Sequence, residues 1–181
     1  MKLYTGVGDA GETGLMRGER ISKASALIEA IGAIDEVNAA VGLARAHPHV
    51  ADLGPLDGAL QRIQEELFEM GAALADLKRA DTASFAAAVS RLEGEIDDLC
   101  AQAPPIKHFI LPAGDEGACR LHVARTVARS AERALVRVCE TVPVDPNLLA
   151  YLNRLSDLLF AAARAVNAAQ GHPERPWGRN S

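Results

Sequence analysis

Residues 106–133 read IKHFILPAGDEGACRLHVARTVARSAER: an apolar strip, a turn at Pro112–Gly114, then a segment with helical period. Leu121, Ala124, Ala128, Ala131, Leu135 and Val138 recur at three- and four-residue steps, the signature of a helix buried along one side. Asp115 stands where an N-cap belongs, and the pattern runs to about Glu140. On the same helix Arg125, Arg129 and Arg133 fall at four-residue intervals, within about 80° of arc. Like charges so spaced repel by about 0.2–0.5 kcal/mol per pair, and Glu132 is the one carboxylate placed within the helix to offset them. Two readings fit this stripe: a solvated basic face with a local ion pair, or a site that takes an anion.

Four more apolar patterns of helical period flank that segment. One runs from about Ser25 to Ala46 through Leu27, Ile31, Ile34, Asn38 and Val41; the next begins at Gly54–Pro55 and carries Leu56, Leu60, Ile63, Leu67 and Leu74. A third spans about Ala83 to Ala101, after a turn at Lys78–Thr82. The last opens on Asp145–Pro146, a cap followed by proline in the first turn, and closes before Gly171. No stretch alternates apolar and polar residues, and the connections are short. The expected fold is therefore all-α, an antiparallel five-helix bundle preceded by a glycine-rich N-terminal loop. Residues 1–171 read as one domain, and 172–181, with Pro173 and Pro176, as an extended or mobile tail.

A formal net charge of −5 over 181 residues argues against nucleic acid or an anionic membrane as the main partner, so any phosphate site has to be small and local. Three cysteines without CxxC spacing suit free thiols in a reducing compartment, and MKLYTGVGDAG has no apolar signal core. With no uncharged apolar run near 18 residues, the expectation is a cytoplasmic protein.

The opening Thr5–Gly14, TGVGDAGETG, has four glycines in ten positions, the composition of a backbone that approaches something closely, or of a flexible arm. It lacks the Walker A and Rossmann patterns. Arg17, Arg20 and Lys23 follow it and can supply positive charge. In the first helix Asp35 and Glu36 neighbour Asn38, which interrupts an apolar stripe; Asp35 can pair with an arginine of the fourth helix, or Asn38 can fix helix register. Asn153, Ser156, Asp157 and Phe160 share a face of the last helix, as ligand contacts or as interhelical polar glue. No Glu-x-x-His occurs, and Glu116, Cys119 and His122 fall one ligand short of a structural zinc site, so no metal centre is expected. His47, His49 and His172 read as surface residues near helix ends.

Taken in order, TGVGDAGETGL with GERISK, AIDEVNAAVGLA, HFILPAG, LHVARTVARSAER and YLNRLSDLLF resemble the PduO-type ATP:cob(I)alamin adenosyltransferases along nearly the whole chain. That resemblance implies transfer of the 5′-deoxyadenosyl group of ATP to cobalamin, with Mg²⁺, in a homotrimer whose active sites lie between subunits. It also implies an electron-donating reductase and a cobalamin-dependent acceptor enzyme as partners. The ATP positions it implies are Thr5, Gly6, Val7, Gly8, Asp9, Gly11, Thr13, Gly14, Lys23, Arg129, Glu132, Arg133 and Asn153. Arg125 matches an arginine that pairs with the aspartate represented by Asp35, across the subunit interface. Phe109 matches the aromatic that lies beneath the corrin and displaces its lower axial ligand, and His108 would neighbour the corrin. The chain departs from the family at Gly6, where Lys or Arg is usual, and at Ser130, where the helix usually reads RRAER. Both remove positive charge from the nucleotide region. The alternative these departures raise is a corrinoid-binding or delivery protein with weak ATP affinity.

Overall fold

The computed structural model describes residues 4, 6–15, 18–77 and 81–178. The expected positions Thr5 and Arg17, part of the turn before Ala83, and the last three residues lie outside them. Among the described residues the chain forms a two-stranded hairpin and then six helices, in the order β1 (Glu12–Gly14), β2 (Arg20–Ser22), α1 (Ala26–Arg45), α2 (Pro48–Ala51), α3 (Leu56–Ala75), α4 (Ala83–Cys100), α5 (Glu116–Cys139) and α6 (Pro146–Ala169). The five longer helices coincide with the apolar patterns. The single-turn α2 and the hairpin, registered Glu12↔Ser22, Thr13↔Ile21 and Gly14↔Arg20, are too short to show a period.

Local chemistry sets the helix starts. The Ser25 hydroxyl accepts from the Ile28 amide at 3.3 Å, the Asp115 carboxylate from Gly117 at 2.7 Å, and the Asp145 carboxylate from Asn147 at 2.8 Å. Pro55 sits at the N-cap of α3, one residue before the helix proper.

Pairings across the bundle give the helix directions. Asn38 meets Gln64 while Arg45 meets Asp57 at 2.9 Å, so α1 and α3 run antiparallel. Arg62 with Glu95 and Arg91 with Glu66 set α3 against α4, and Asp115 with Asn167 and Glu132 with Asn153 set α5 against α6. Consecutive long helices thus alternate in direction. The neighbours α4 and α6 run the same way, as Phe85 on Tyr151 and Glu93 on Arg154 require, because the connection 101–115 crosses the end of α6. Helix α5 lies between α1 and α6, with Ala124, Ala128, Ala131 and Ala134 buried where the backbones come close. Asn38 is buried and both donates to the Gln64 carbonyl and accepts from the Gln64 amide, which fixes the register of α1 on α3. No described helix is long and apolar enough to cross a membrane.

Candidate functional site

Two openings flank α5. The first, a cavity of about 380 Å³, is roofed by Ile106–Pro112 and floored by His122, Arg125 and Arg129 of α5 with Ser156, Asp157 and Phe160 of α6. Phe109 stands 81% exposed at its mouth. The Arg125 guanidinium lies 5.9 Å from the centre of the Phe160 ring, a cation–π contact, and its Nε is buried without a hydrogen-bond partner. Burial first, and the neighbouring Arg129 charge second, hold its pKa below the usual arginine value. Arg129 is exposed and makes no side-chain bond within the described residues.

His122 is 4% exposed, neither ring nitrogen has a partner, and its ring faces Phe160 at 6.0 Å between centroids. Burial, reinforced by the Arg125 charge and opposed by Glu174, pulls its pKa down to about 4, so the imidazole is neutral. Sequence reasoning considered His122 only as a metal ligand; its place one residue from Leu121 on the buried stripe was the signal that it points inward.

The second opening, about 250 Å³, lies between α1 and α5 and gathers Lys23, Glu29, Glu36, Ser130, Arg133 and Arg137. The glycine segment folds against it. Gly6 and Gly11 take φ of 72° and 84°, and a Cβ on Gly8 would lie 3.2 Å from the Lys23 ammonium nitrogen, so glycine lets that charge approach the turn. The Lys23 amide donates to the Gly11 carbonyl at 2.9 Å, and Arg20 ties the turn down through the Val7 carbonyl and Glu12. Arg133 bends back, donating to the Arg129 carbonyl and to the Ser130 hydroxyl, each at 2.9 Å. Ser130 therefore orients Arg133.

Other expected residues fall as follows. Asp35 is exposed on α1, and no described bond links it to Arg125 within the chain. Glu132 makes no ion pair with Arg129 or Arg133, because Asn153 of α6 donates to it at 3.0 Å; Asn153 in turn accepts from Arg154 at 2.7 Å. Gly14 and half-buried Thr13 form β1. His108 lines the Phe109 cavity. Glu116 and His122 point apart: Glu116 pairs with Arg120 at 2.6 Å, whereas His122 faces Phe160.

The tail is tied to the bundle. Trp177 donates its amide to the Phe109 carbonyl at 2.7 Å and Leu111 donates to the Arg175 carbonyl at 2.8 Å, so residues 175–177 run beside the Phe109 segment. Arg164, 3% exposed on α6, pairs with Glu174 at 2.5 Å and donates to the Pro104 carbonyl, clasping the tail to the start of that segment. A lone arginine in the apolar run AAARAVNAA was the legible sign, since a buried charge has to find a partner. His47 departs from the surface position expected. It is 13% exposed and packs with His49 beside the buried Asp115, whose carboxylate accepts from His49 at 2.7 Å. Burial alone would raise that carboxyl, but the bonds from His49 and Gly117 outweigh it and keep the group below the usual range and ionised.

A larger opening of about 620 Å³, between α3, α4 and α6, contains the Arg62–Glu95 pair but neither the glycine turn nor the Phe109 segment.

The model for the family described as cobalamin adenosyltransferase matches residues 3–166. The corrinoid adenosyltransferase of Bacillus subtilis (strain 168) is 47% identical over 186 residues, covering 100% of this chain and 94% of the relative. The cobalamin adenosyltransferase of Cupriavidus metallidurans is 40% identical, over 98% of this chain and 95% of the relative. Among solved structures, a variant of the PduO-type ATP:corrinoid adenosyltransferase from Lactobacillus reuteri, complexed with cobalamin and ATP, superposes with a TM-score of 0.91 at 34% identity, covering 99% of this chain and 98% of that one.

Proposed function

The chain belongs to the cobalamin adenosyltransferase family, and we propose that its two openings divide that chemistry, Lys23, Arg133 and the glycine turn taking the triphosphate and the Phe109 cavity taking the corrin. The protein transfers the 5′-deoxyadenosyl group of ATP to the cobalt of cob(I)alamin, giving adenosylcobalamin and triphosphate. Cobalt forms the new bond to C5′ as the C5′–O bond breaks, and the triphosphate leaves with the electron pair. Cob(I)alamin is itself a strong nucleophile, so no serine, cysteine or histidine has to be activated. The protein's work is alignment, which in well-oriented systems removes about 7–11 kcal/mol of barrier, and stabilisation of the leaving charge.

The observation that carries the division is that Arg125 and Arg129 line one cavity with Phe109. Among the described residues neither arginine has a carboxylate partner, and an aromatic ring is displayed at the cavity mouth. Phe109 offers cobalt no lower axial donor, which eases reduction of Co(II) by keeping ligand electron density off the metal. Arg129, at the rim, reaches toward the leaving triphosphate. His108 lies against the corrin edge.

Asp35, exposed and without a bond among the described residues, and the buried, unpartnered Nε of Arg125 support an assembly in which Asp35 of one subunit meets Arg125 of the next, with active sites between the subunits of a homotrimer. Mg²⁺ prefers oxygen ligands and retains waters, and Asp9, on the glycine turn beside Lys23, is a carboxylate placed to fit it with the triphosphate. A separate reductase supplies the electron, a cobalamin-dependent enzyme receives the product, and the setting is the cytoplasm.

Anaerobic incubation of the protein with reduced cobalamin, ATP and Mg²⁺ tests this reading. Adenosylcobalamin and free triphosphate should accumulate in equal amounts; a correctly folded preparation giving no product above the protein-free control refutes it.

A further inference from the structure

At the far end of α5 from the glycine turn, His47, His49 and Asp115 converge, and neither opening uses them. Their ligand atoms all lie within 4.8 Å of one another. His49 Nδ1 is 2.7 Å from one oxygen of Asp115, and His47 Nδ1 is 3.9 Å from the other. We propose that these three side chains, with a water as the fourth ligand, bind a first-row divalent transition-metal ion, of which zinc is the representative, pinning the α1–α2 corner to the start of α5.

The hydrogen bond from His49 to Asp115 accounts for those two residues, and Glu116 lies 3.9 Å from His47 Nε2, but the other ring nitrogen of His47 is left over. Its Nδ1 is buried, faces the carboxylate, and has no hydrogen-bond partner. Space has been made for it. A Cβ on Gly117 would come within 2.8 Å of His47 Nδ1 and 2.9 Å of Val50, so only glycine at the second position of α5 lets this ring lie where it does. A proton on either histidine is not needed to hold the cluster if a cation stands between the rings and the carboxylate. In a tetrahedral site with metal–nitrogen and metal–oxygen bonds of about 2.0–2.2 Å, ligand atoms are roughly 3.3 Å apart, between the two separations seen here, so small side-chain rotations suffice.

The donor set selects the ion. Two imidazoles and one carboxylate suit zinc, cobalt, nickel or copper, whereas Mg²⁺ and Ca²⁺ want oxygen alone. The backbone that carries Asp115 is fixed as well. Asn167 of α6 accepts from the Asp115 amide and donates to the Ala113 carbonyl, both at 2.9 Å, and Gly114, at φ 119°, leaves the room that Asn167 occupies. A bound ion would steady residues 112–115, the junction between the Phe109 segment and α5. The proposal stands independently of how the nucleotide and corrin are held.

The experiment uses tag-free, chelator-stripped full-length protein, titrated with Zn²⁺ against a chromophoric chelator and, separately, with Co²⁺ followed by its visible absorption. One ion per chain is expected, with Kd below about 1 µM, and no thiolate-to-cobalt charge-transfer band. His47→Gln and His49→Gln should each weaken zinc by at least ~10-fold, while a variant with serine at Cys100, Cys119 and Cys139 binds as before. His49 is the more exposed ring, so His49→Gln keeps the test sound should His47→Gln disturb folding. Zinc uptake abolished by the cysteine changes but untouched by the histidine changes overturns the proposal, as does the absence of stoichiometric uptake at about 100 µM zinc.

Discussion

Replacing His122 by leucine should make the protein more resistant to acid. In the folded chain the imidazole is 4% exposed, unpartnered at both nitrogens and shifted to a pKa of about 4, against an ordinary value of 6.5. A histidine with a depressed folded pKa is protonated more readily in the unfolded chain, so its effect is absent above about pH 7 and grows as pH falls through 6.5. The difference of about 2.5 pKa units corresponds to about 3 kcal/mol once pH reaches 4, and to roughly 2.5 kcal/mol at pH 4.5. The depressed carboxyls of Asp57, Asp115 and Asp145 also lose stabilising interactions in acid, but they are common to both proteins and cancel in the difference. Urea unfolding followed by far-ultraviolet circular dichroism, at one protein concentration and at half-unit steps from about pH 4.5 to 7.5, gives the two curves. At neutral pH the variant should match or exceed the parent, because leucine replaces a desolvated polar ring that bonds to nothing. Below about pH 6 the curves should diverge in the variant's favour. Parallel curves across the whole range would refute the buried neutral imidazole, and with it the description of the cavity floor.

Arg164→Met should destabilise the fold by about 3 kcal/mol, the low end for breaking a buried pair because Glu174 can turn to solvent; hydrogen exchange should speed up at the Leu111 and Trp177 amides and remain unchanged in α3. Equal exchange at those amides would mean that Arg164 does not hold the tail to the Phe109 segment. Arg129→Ala should leave unfolding free energy within about 0.5 kcal/mol, since the exposed side chain makes no bond among the described residues, yet lower turnover by ~10²–10³. A stability loss that accounts for the activity loss would count against its role at the triphosphate. Gly6→Lys should tighten ATP binding, a charged contact contributing about 1.5–3 kcal/mol, while placing lysine at φ 72° lowers folding stability by about 1–2 kcal/mol. Calorimetry showing weaker ATP binding in that variant would place the nucleotide away from the turn.

Periodicity made the long helices legible because each presents one apolar face over many turns, and the caps Asp115 and Asp145 marked the starts of two of them. The parallel contact of α4 with α6 was not legible, since it depends on the path of residues 101–115 over the end of α6, through Arg164, Asn167 and the loop carbonyls they meet. The attachment of the tail was not legible for a related reason. Pro173 and Pro176 do prevent a helix, but an extended segment can still spend its backbone groups on another extended segment, here the one bearing Phe109. The His47–Asp115 meeting was hidden because its members come from sequence positions far apart, joined only when α1 and α5 pack antiparallel. Motif spacing along one helix, as in Glu116, Cys119 and His122, cannot reveal it.

The arginine series on α5 shows what spacing alone leaves undecided. Each four-residue step advances about 40° around the helix, so Arg133 stands about 80° from Arg125. Read along the sequence, that is one face. In a helix packed between α1 on one side and α6 on the other, 80° is enough to cross from one opening to the next: Arg125 and Arg129 enter the Phe109 cavity, and Arg133 enters the cleft with Lys23. Ser130 stands about 60° beyond Arg133, in the cleft with Lys23, and its hydroxyl, by holding the Arg133 guanidinium, directs that charge to the Lys23 side. An arginine at position 130 would repel Arg133 instead of accepting its hydrogen bond. The absent charge at Ser130 is therefore consistent with nucleotide binding, because the helix trades a further cation for a fixed orientation of the one that remains.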